Sequence, residues 1–259
     1  MIFAFHNLPR TACRFFTVFI GLAVFIGAMT RVASAQPSPE LPVFFRVLAK
    51  DVRIDDLRYD LKGRTVPVQT LHRQFSPRYE CPPSGKLTLY RLLPATEPDK
   101  PPRRVIVAEA TLQGEGPFLL VLGKDKPADA VGTLGLQVLD DSWQAHPADA
   151  IRVLSFSARP TAIKIADNTA ELLPGGSHVT PPQTGASLIE FKVATRDNGQ
   201  WTLRLQSPQA LLPRARVTLL LLDAPPSDEE PFPVALNIAS LIDTSQPPSP
   251  KPARQVSLR

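Results

Sequence analysis

The same short strand is written twice in this chain, and that constrains its fold more than anything else. Phe45-Arg46-Val47-Leu48 and Ile151-Arg152-Val153-Leu154 each place an apolar residue before Arg-Val-Leu. Downstream of the two copies, the segments match in order. The run 56–61 matches 161–166, a Pro-rich turn at 75–85 matches 172–185, and 86–92 matches 187–193. Then 105–112 matches 199–206, 117–123 matches 216–223, and 133–141 matches 234–243. Each half closes on aspartate, Asp141 and Asp243. A repeated order of elements, with few identical residues, reads as an internal duplication.

The repeated elements are strands. There are 29 prolines in the 259 residues. Proline lacks the N–H and the backbone freedom that a helix interior needs, so long helices have no room. Alternation of apolar and polar residues marks half-buried strands instead. Leu57, Tyr59 and Leu61 share one face, as do Ile189, Phe191 and Val193. By the same alternation Trp201, Leu203 and Leu205 are expected inside, with Thr202, Arg204 and Gln206 outside. The runs 118–122 and 217–222 are continuously apolar, the mark of strands covered on both faces. The fold class expected is all-β, two tandem immunoglobulin-like β-sandwich repeats after a cleaved signal peptide.

The strand pattern and the composition of the ends set the domain boundaries. Residues 1–35 form a signal peptide: Arg10 and Arg14, the apolar run Phe15 to Met29, then Ala33-Ser34-Ala35 as the cleavage pattern. A flexible arm covers 36–42, the first sandwich repeat 43–142, a linker 143–149, the second repeat 150–243, and a disordered Pro-rich tail 244–259. No segment of the mature chain is long and apolar enough for a membrane-spanning helix. Export places the chain in the periplasm, at the cell surface or outside the cell.

Charge excludes one class of partner. The leader takes Arg10, Arg14 and Arg31 and no acid, so 26 of the 29 basic residues remain against 24 acids. A formal balance of +2 is not the basic face of a nucleic-acid binder. Cys81 is the single mature cysteine, so no internal disulfide is available, and a solitary, partly buried thiol beside Pro82 and Pro83 is its expected state, with an intermolecular partner or a reactive thiol as the alternative.

No catalytic or cofactor pattern emerges. The mature histidines His72, His146 and His178 lack a serine elbow, and no His-Glu-x-x-His, paired-cysteine or glycine-loop motif occurs. Asp55–Asp56 and Asp140–Asp141 invite a calcium reading, but adjacent acids at strand ends normally serve turns. No metal or cofactor is assigned. Trp143, in the linker, is expected between the repeats, with ligand stacking as the alternative. Two surfaces are expected to contact a ligand: Arg78 and Tyr79 in the first Pro-rich loop, and Arg103–Arg104 at the end of the loop 94–104. The acidic loop 224–233 occupies the corresponding place in the second repeat.

The leader, the paired Arg-Val-Leu strands at 46–48 and 152–154, and the acid-terminated closing strands resemble exported bacterial proteins built from tandem β-sandwich repeats. The resemblance covers residues 43–243 and implies an exported all-β chain; it carries no site residue. The expected function is a non-catalytic protein-interaction or structural module of the cell envelope. A carbohydrate-binding module for cell-wall or extracellular polysaccharide is the first alternative, and an enzyme of unfamiliar type the second.

Overall fold

A computed structural model describes residues 42–95, 100–124, 130–185, 187–225 and 235–245. The leader (1–35), most of the arm, most of the acidic loop and all but two residues of the tail lie outside the described residues. The described chain is all-β, with no helix among its elements.

The first half contains β1 (Phe44–Ala49), β2 (Leu57–Leu61), β3 (Arg64–Val68), β4 (Tyr79–Glu80), β5 (Lys86–Leu93), β6 (Arg103–Thr111), β7 (Phe118–Gly123) and β8 (Gly135–Asp140). The second contains β9 (Ile151–Ser155), β10 (Thr161–Ile165), β11 (Asn168–Leu172), β12 (Ser177–Val179), β13 (Leu188–Asp197), β14 (Gln200–Ala210), β15 (Arg216–Asp223) and β16 (Leu236–Asp243). Each half builds two four-stranded sheets. The orders are β4-β1-β7-β8 and β3-β2-β5-β6 in the first, and β12-β9-β15-β16 and β11-β10-β13-β14 in the second. The second half thus repeats the first strand for strand. The parallel pair β1–β7 recurs as β9–β15. Even the bulge between Leu89 and Tyr90 recurs between Val193 and Ala194.

Two of the eight strands in each half carry no strand signature in the sequence. β3 and its counterpart β11 lack a clear apolar alternation, and β4 and β12 sit inside stretches expected to be Pro-rich turns. Tyr79 therefore belongs to a short edge strand paired with β1, and not to a loop. Arg103 and Arg104 likewise open β6 and are paired with β5.

The four sheets stack as layers. Phe45, Val47, Leu120 and Leu122 face the outer sheet of their own half and join Leu57, Tyr59, Leu87 and Leu89 in one core. Ile151, Val153, Leu219 and Leu221 do the same in the second half, with Ile163, Ile165, Phe191 and Val193. The intervening residues point the other way. Leu48, Leu119 and Val121 meet Leu154, Leu220, Leu222 and Leu241 in a third core between the halves. The two inner sheets are thereby covered on both faces, which is why β7 and β15 are continuously apolar.

This alternation explains the twice-written Arg-Val-Leu. On a strand successive side chains point to opposite faces. Val47 and Val153 enter the cores of their own halves, whereas Leu48 and Leu154 cross to the other half. Arg46 and Arg152 share the face of those leucines. They are the chemistry of the joint.

Candidate functional site

At the joint, both repeated arginines meet both closing aspartates. Arg46 contacts Asp141 of its own half through Nε at 2.7 Å and Asp243 of the other half through Nη1 at 2.8 Å. Arg152 reaches across to Asp141 at 3.3 Å and donates to the Asp140 carbonyl at 2.7 Å. A third guanidinium, Arg216 on β15, pairs with Asp243 and donates to the Asp141 carbonyl at 2.9 Å. Trp143 lies over Arg216 at 4.3 Å, so the linker tryptophan covers the cluster. All five charged side chains are buried. Burial alone would raise the Asp243 carboxyl. The bonds from Ser245 and the guanidiniums of Arg46 and Arg216 hold it well below the usual carboxylate range. His146 stays neutral beside the cluster: burial, with Arg152 and Arg216 close by, pushes it down to about 3.

The cross-contacts are reciprocal, as in a twofold dimer. Arg46 reaches Asp243, and Arg152 reaches Asp141. Gln137 on β8 donates to the Gly175 carbonyl of the second half, and Arg78 donates to Ser245 Oγ beyond β16. Arg78 is thus an exposed contact between the halves. Nothing in this cluster is open to a ligand.

The sequence-predicted binding residues do not come together. Tyr79 is half-buried in a ring cluster with Phe45 and Tyr59, and its hydroxyl accepts from the Gln69 amide at 2.8 Å beside β3. Arg103 and Arg104 lie on β6, at the opposite edge of the outer sheet. Arg103 is exposed. Arg104 stacks on Tyr90 at 3.6 Å and bonds Asp60 at 2.8 Å. The Tyr90 hydroxyl donates to Asp60 at 2.6 Å, and this bond above all, with Arg104, holds the Asp60 carboxyl low.

The adjacent acids are also engaged. Asp55 bonds Arg53, and Asp56 bonds Arg58. Asp140 accepts from the Ser142 amide, so the acid pairs act as turn and pairing devices. Cys81 is buried, and burial pushes its thiol up to about 12, away from nucleophilic use. Among the described residues no group of three or more metal-ligating side chains converges.

The open surface is on the second half. Trp201 and Leu203, expected inside, are 40% and 57% exposed. The bulge is the reason. Val193 pairs with Leu205 but Ala194 pairs with Leu203, so Arg204 is an extra residue that turns the strand over. Leu205 packs against the core, and Leu203 and Trp201 face out. The bulged Arg204 bends back to Thr195 Oγ1 at 2.8 Å and Asp197 at 2.7 Å. Arg204 first, then Thr195, holds the Asp197 carboxyl low. Arg196, exposed, lies 5.8 Å from the Trp201 ring. A shallow depression lined by Leu188, Glu190, Gln206 and Pro208 continues the same face.

β14 is also the longest strand and an edge of its sheet. The equivalent edge, β6, is covered. The amides of Thr133 and Leu134 both donate to the Val107 carbonyl, at 2.9 and 3.0 Å, and Gly132 bridges antiparallel to Ala108. Among the described residues nothing pairs with the outer side of β14. No protein-family model and no curated protein matches the chain.

Proposed function

We propose that this chain is an exported, non-catalytic binding module of the cell envelope, two immunoglobulin-like sandwiches behind a cleaved signal peptide. The observation that carries this reading is the edge of β14, unpaired among the described residues, with Trp201 and Leu203 exposed beside it. Unpaired strand edges template pairing with another chain and are normally blunted by charge or cover. Here the one charged residue on the strand, Arg204, is turned back on Asp197. An aromatic and a leucine flanking such an edge supply the apolar contact that strand addition uses for specificity.

Photo-crosslinking in living cells tests the reading. A benzoylphenylalanine at position 203 should join the tagged chain to a defined envelope protein, identified by mass spectrometry. The adduct should disappear in Trp201→Ala. Absence of any adduct from the exported chain would sink it. Arg103→Ala with Arg104→Ala tests the sequence-predicted patch separately: capture weakens at unchanged thermal stability if that surface takes part.

The carbohydrate-binding reading rests on Trp201 alone, an exposed indole beside Arg196. Retention on cell-wall polysaccharide, abolished by Trp201→Ala, would support that reading in place of the first.

A further inference from the structure

We infer that the outer face of the β11-β10-β13-β14 sheet docks an acidic segment of a partner protein, with an aromatic anchor between two carboxylates. This rests on the binding-module reading and names its surface and the chemistry of the partner. The registers lay out the face. Ala162, Ala194 and Leu203 lie directly opposite one another across three strands. On one side of that row Lys164 faces Lys192, and on the other Arg196 faces Trp201.

The first half displays a self-satisfied form of the same face. The two bulges align Tyr90 with Ala194, Ile106 with Leu203 and Arg104 with Trp201. The pairings of β2 with β5 and of β10 with β13 then align Arg58 with Ala162 and Asp60 with Lys164. The Tyr90 ring is 3% exposed under the Arg104 guanidinium, and its hydroxyl donates to Asp60. Asp60 pairs with Arg104 at 2.8 Å, and Arg58 pairs with Asp56 at 2.6 Å. A ring, a carboxylate and a guanidinium thus satisfy one another.

The second half lacks the ring and the carboxylate. Half-buried alanines stand where Tyr90 and Arg58 do, and a lysine stands where Asp60 does. Like charges directly opposite each other on a sheet repel, and Lys164 and Lys192 are such a pair. Lys192 reaches Glu190 at 3.2 Å, but Glu190 also accepts from Gln206 at 2.6 Å. Lys164 and Arg196, both exposed, make no ion pair among the described residues. Glu171, the other acid of this face, stands at the β11 end of the alanine row. Leu203 is 57% exposed where Ile106 is half-buried.

The first half therefore specifies the partner of the second. It brings a ring to the alanine row, against Trp201 and Leu203, and a carboxylate to Lys164 and Lys192. Arg196 lies four residues from Lys192 on β13, a span of about 13 Å, so a second carboxylate beyond the ring meets it. An extended segment covers that span with an acid two residues to either side of the aromatic. The apolar centre favours a protein over a polysaccharide. Trp201 is the one aromatic on this face among the described residues, and Leu203 offers a sugar no hydrogen bond. A buried aromatic anchor ringed by charge is the usual core of a protein interface.

The probe is the capped pentapeptide ESFSE, titrated into the full exported chain while backbone amide shifts are followed. Saturable shifts centred on residues 162–164, 192–196 and 201–203 are expected, with affinity falling as ionic strength rises. Lys164→Glu combined with Lys192→Glu, or the neutral peptide QSFSQ, should each weaken binding by at least about tenfold. The double variant exchanges one like-charge pair for another, and the peptide change leaves the protein untouched, so loss of fold cannot mimic the result. No saturable shift, shifts elsewhere, or equal binding of QSFSQ would overturn the assignment. Tighter binding of trigalacturonate at the same residues would overturn it in favour of an acidic polysaccharide. An adduct from position 203 to an envelope protein that survives the double variant removes this chemistry alone; no adduct and no titration removes the binding reading as well.

Discussion

The two halves share connectivity, a bulge and a pair of opening and closing charges, yet differ at two aligned positions. At the start of β7 the first half has Pro117, where the second has Arg216. Before β8 the first half has Gly132, where the second has Val234. Arg216 makes the joint asymmetric: three guanidiniums face two carboxylates. Gly132 lets the segment before β8 approach and cover the outer edge of β6; among the described residues no backbone bond covers the outer edge of β14. A duplicated sandwich thus keeps its cores alike in kind while the joint and, among the described residues, the cover of one edge diverge.

The joint should give the largest effects. Asp141→Asn leaves Arg46 and Arg152 without their shared carboxylate and the buried cluster with three cations against one acid. Breaking a buried pair by removing one partner costs about 3–5 kcal/mol, and urea denaturation should show a loss of that size. Arg216→Met should cost clearly less, because two guanidiniums then face two carboxylates. If the two variants are equally damaged, charge balance does not hold the joint.

Next comes the closed edge. Gly132→Ala should destabilise by roughly 1–3 kcal/mol, through backbone strain at positive φ and collision with the Val107 carbonyl. Alanine at Gly175 meets nothing within 4 Å and carries only the positive-φ strain, so it should cost less. Equal midpoints for the two in thermal unfolding would mean that the close approach at β6 contributes nothing.

Acid separates the joint from the rest. Folded His146 titrates near 3 and the unfolded residue near 6.5, so its stabilising contribution is present above about pH 6.5 and declines as pH falls toward 3. The slope approaches about 1.4 kcal/mol per pH unit in that window. The depressed Asp243 adds its own loss below about pH 4, as the unfolded carboxyl becomes protonated while the folded one stays charged. His146→Gln should flatten stability between about pH 4 and 6.5 and leave the steeper fall below. A wild-type profile already flat in that range would remove His146 from the account.

Much of this architecture is legible in the sequence, and the failures have definite physical causes. The doubled Arg-Val-Leu marks two equivalent strands, and unbroken apolar runs mark those covered on both faces. β3 and β11 are hard to see because their outer residues are exposed and Pro67 interrupts the pattern of β3. The partners of Arg46 and Arg152 are hidden because Asp141 and Asp243 are distant along the chain from arginines they meet. Trp201 and Leu203 are misplaced when alternation is counted through Arg204. One local signal corrects this. Asn198 and Gly199 both have positive φ, the mark of a two-residue hairpin turn. Counting from that turn sets Trp201 opposite Arg196 and Leu203 opposite Ala194, on the face away from Val193. The bulge that returns Leu205 to the core leaves no trace in composition.

The bulge yields the smallest effect and the sharpest contrast. Leu203 and Leu205 are two residues apart and would share a face on a regular strand. With Arg204 bulged, Leu203→Lys meets solvent and should change stability by no more than about 0.5 kcal/mol. Leu205→Lys drives a charge toward Ile189, Phe191 and Val193 and should destabilise the chain severely. Equal losses would return both leucines to one face and erase the bulge. Leu203 would then be a core residue, and the outer face of β14 would lose the apolar contact on which partner selectivity depends. The expected silence of Leu203→Lys in stability is what lets its effect on partner capture be read as binding.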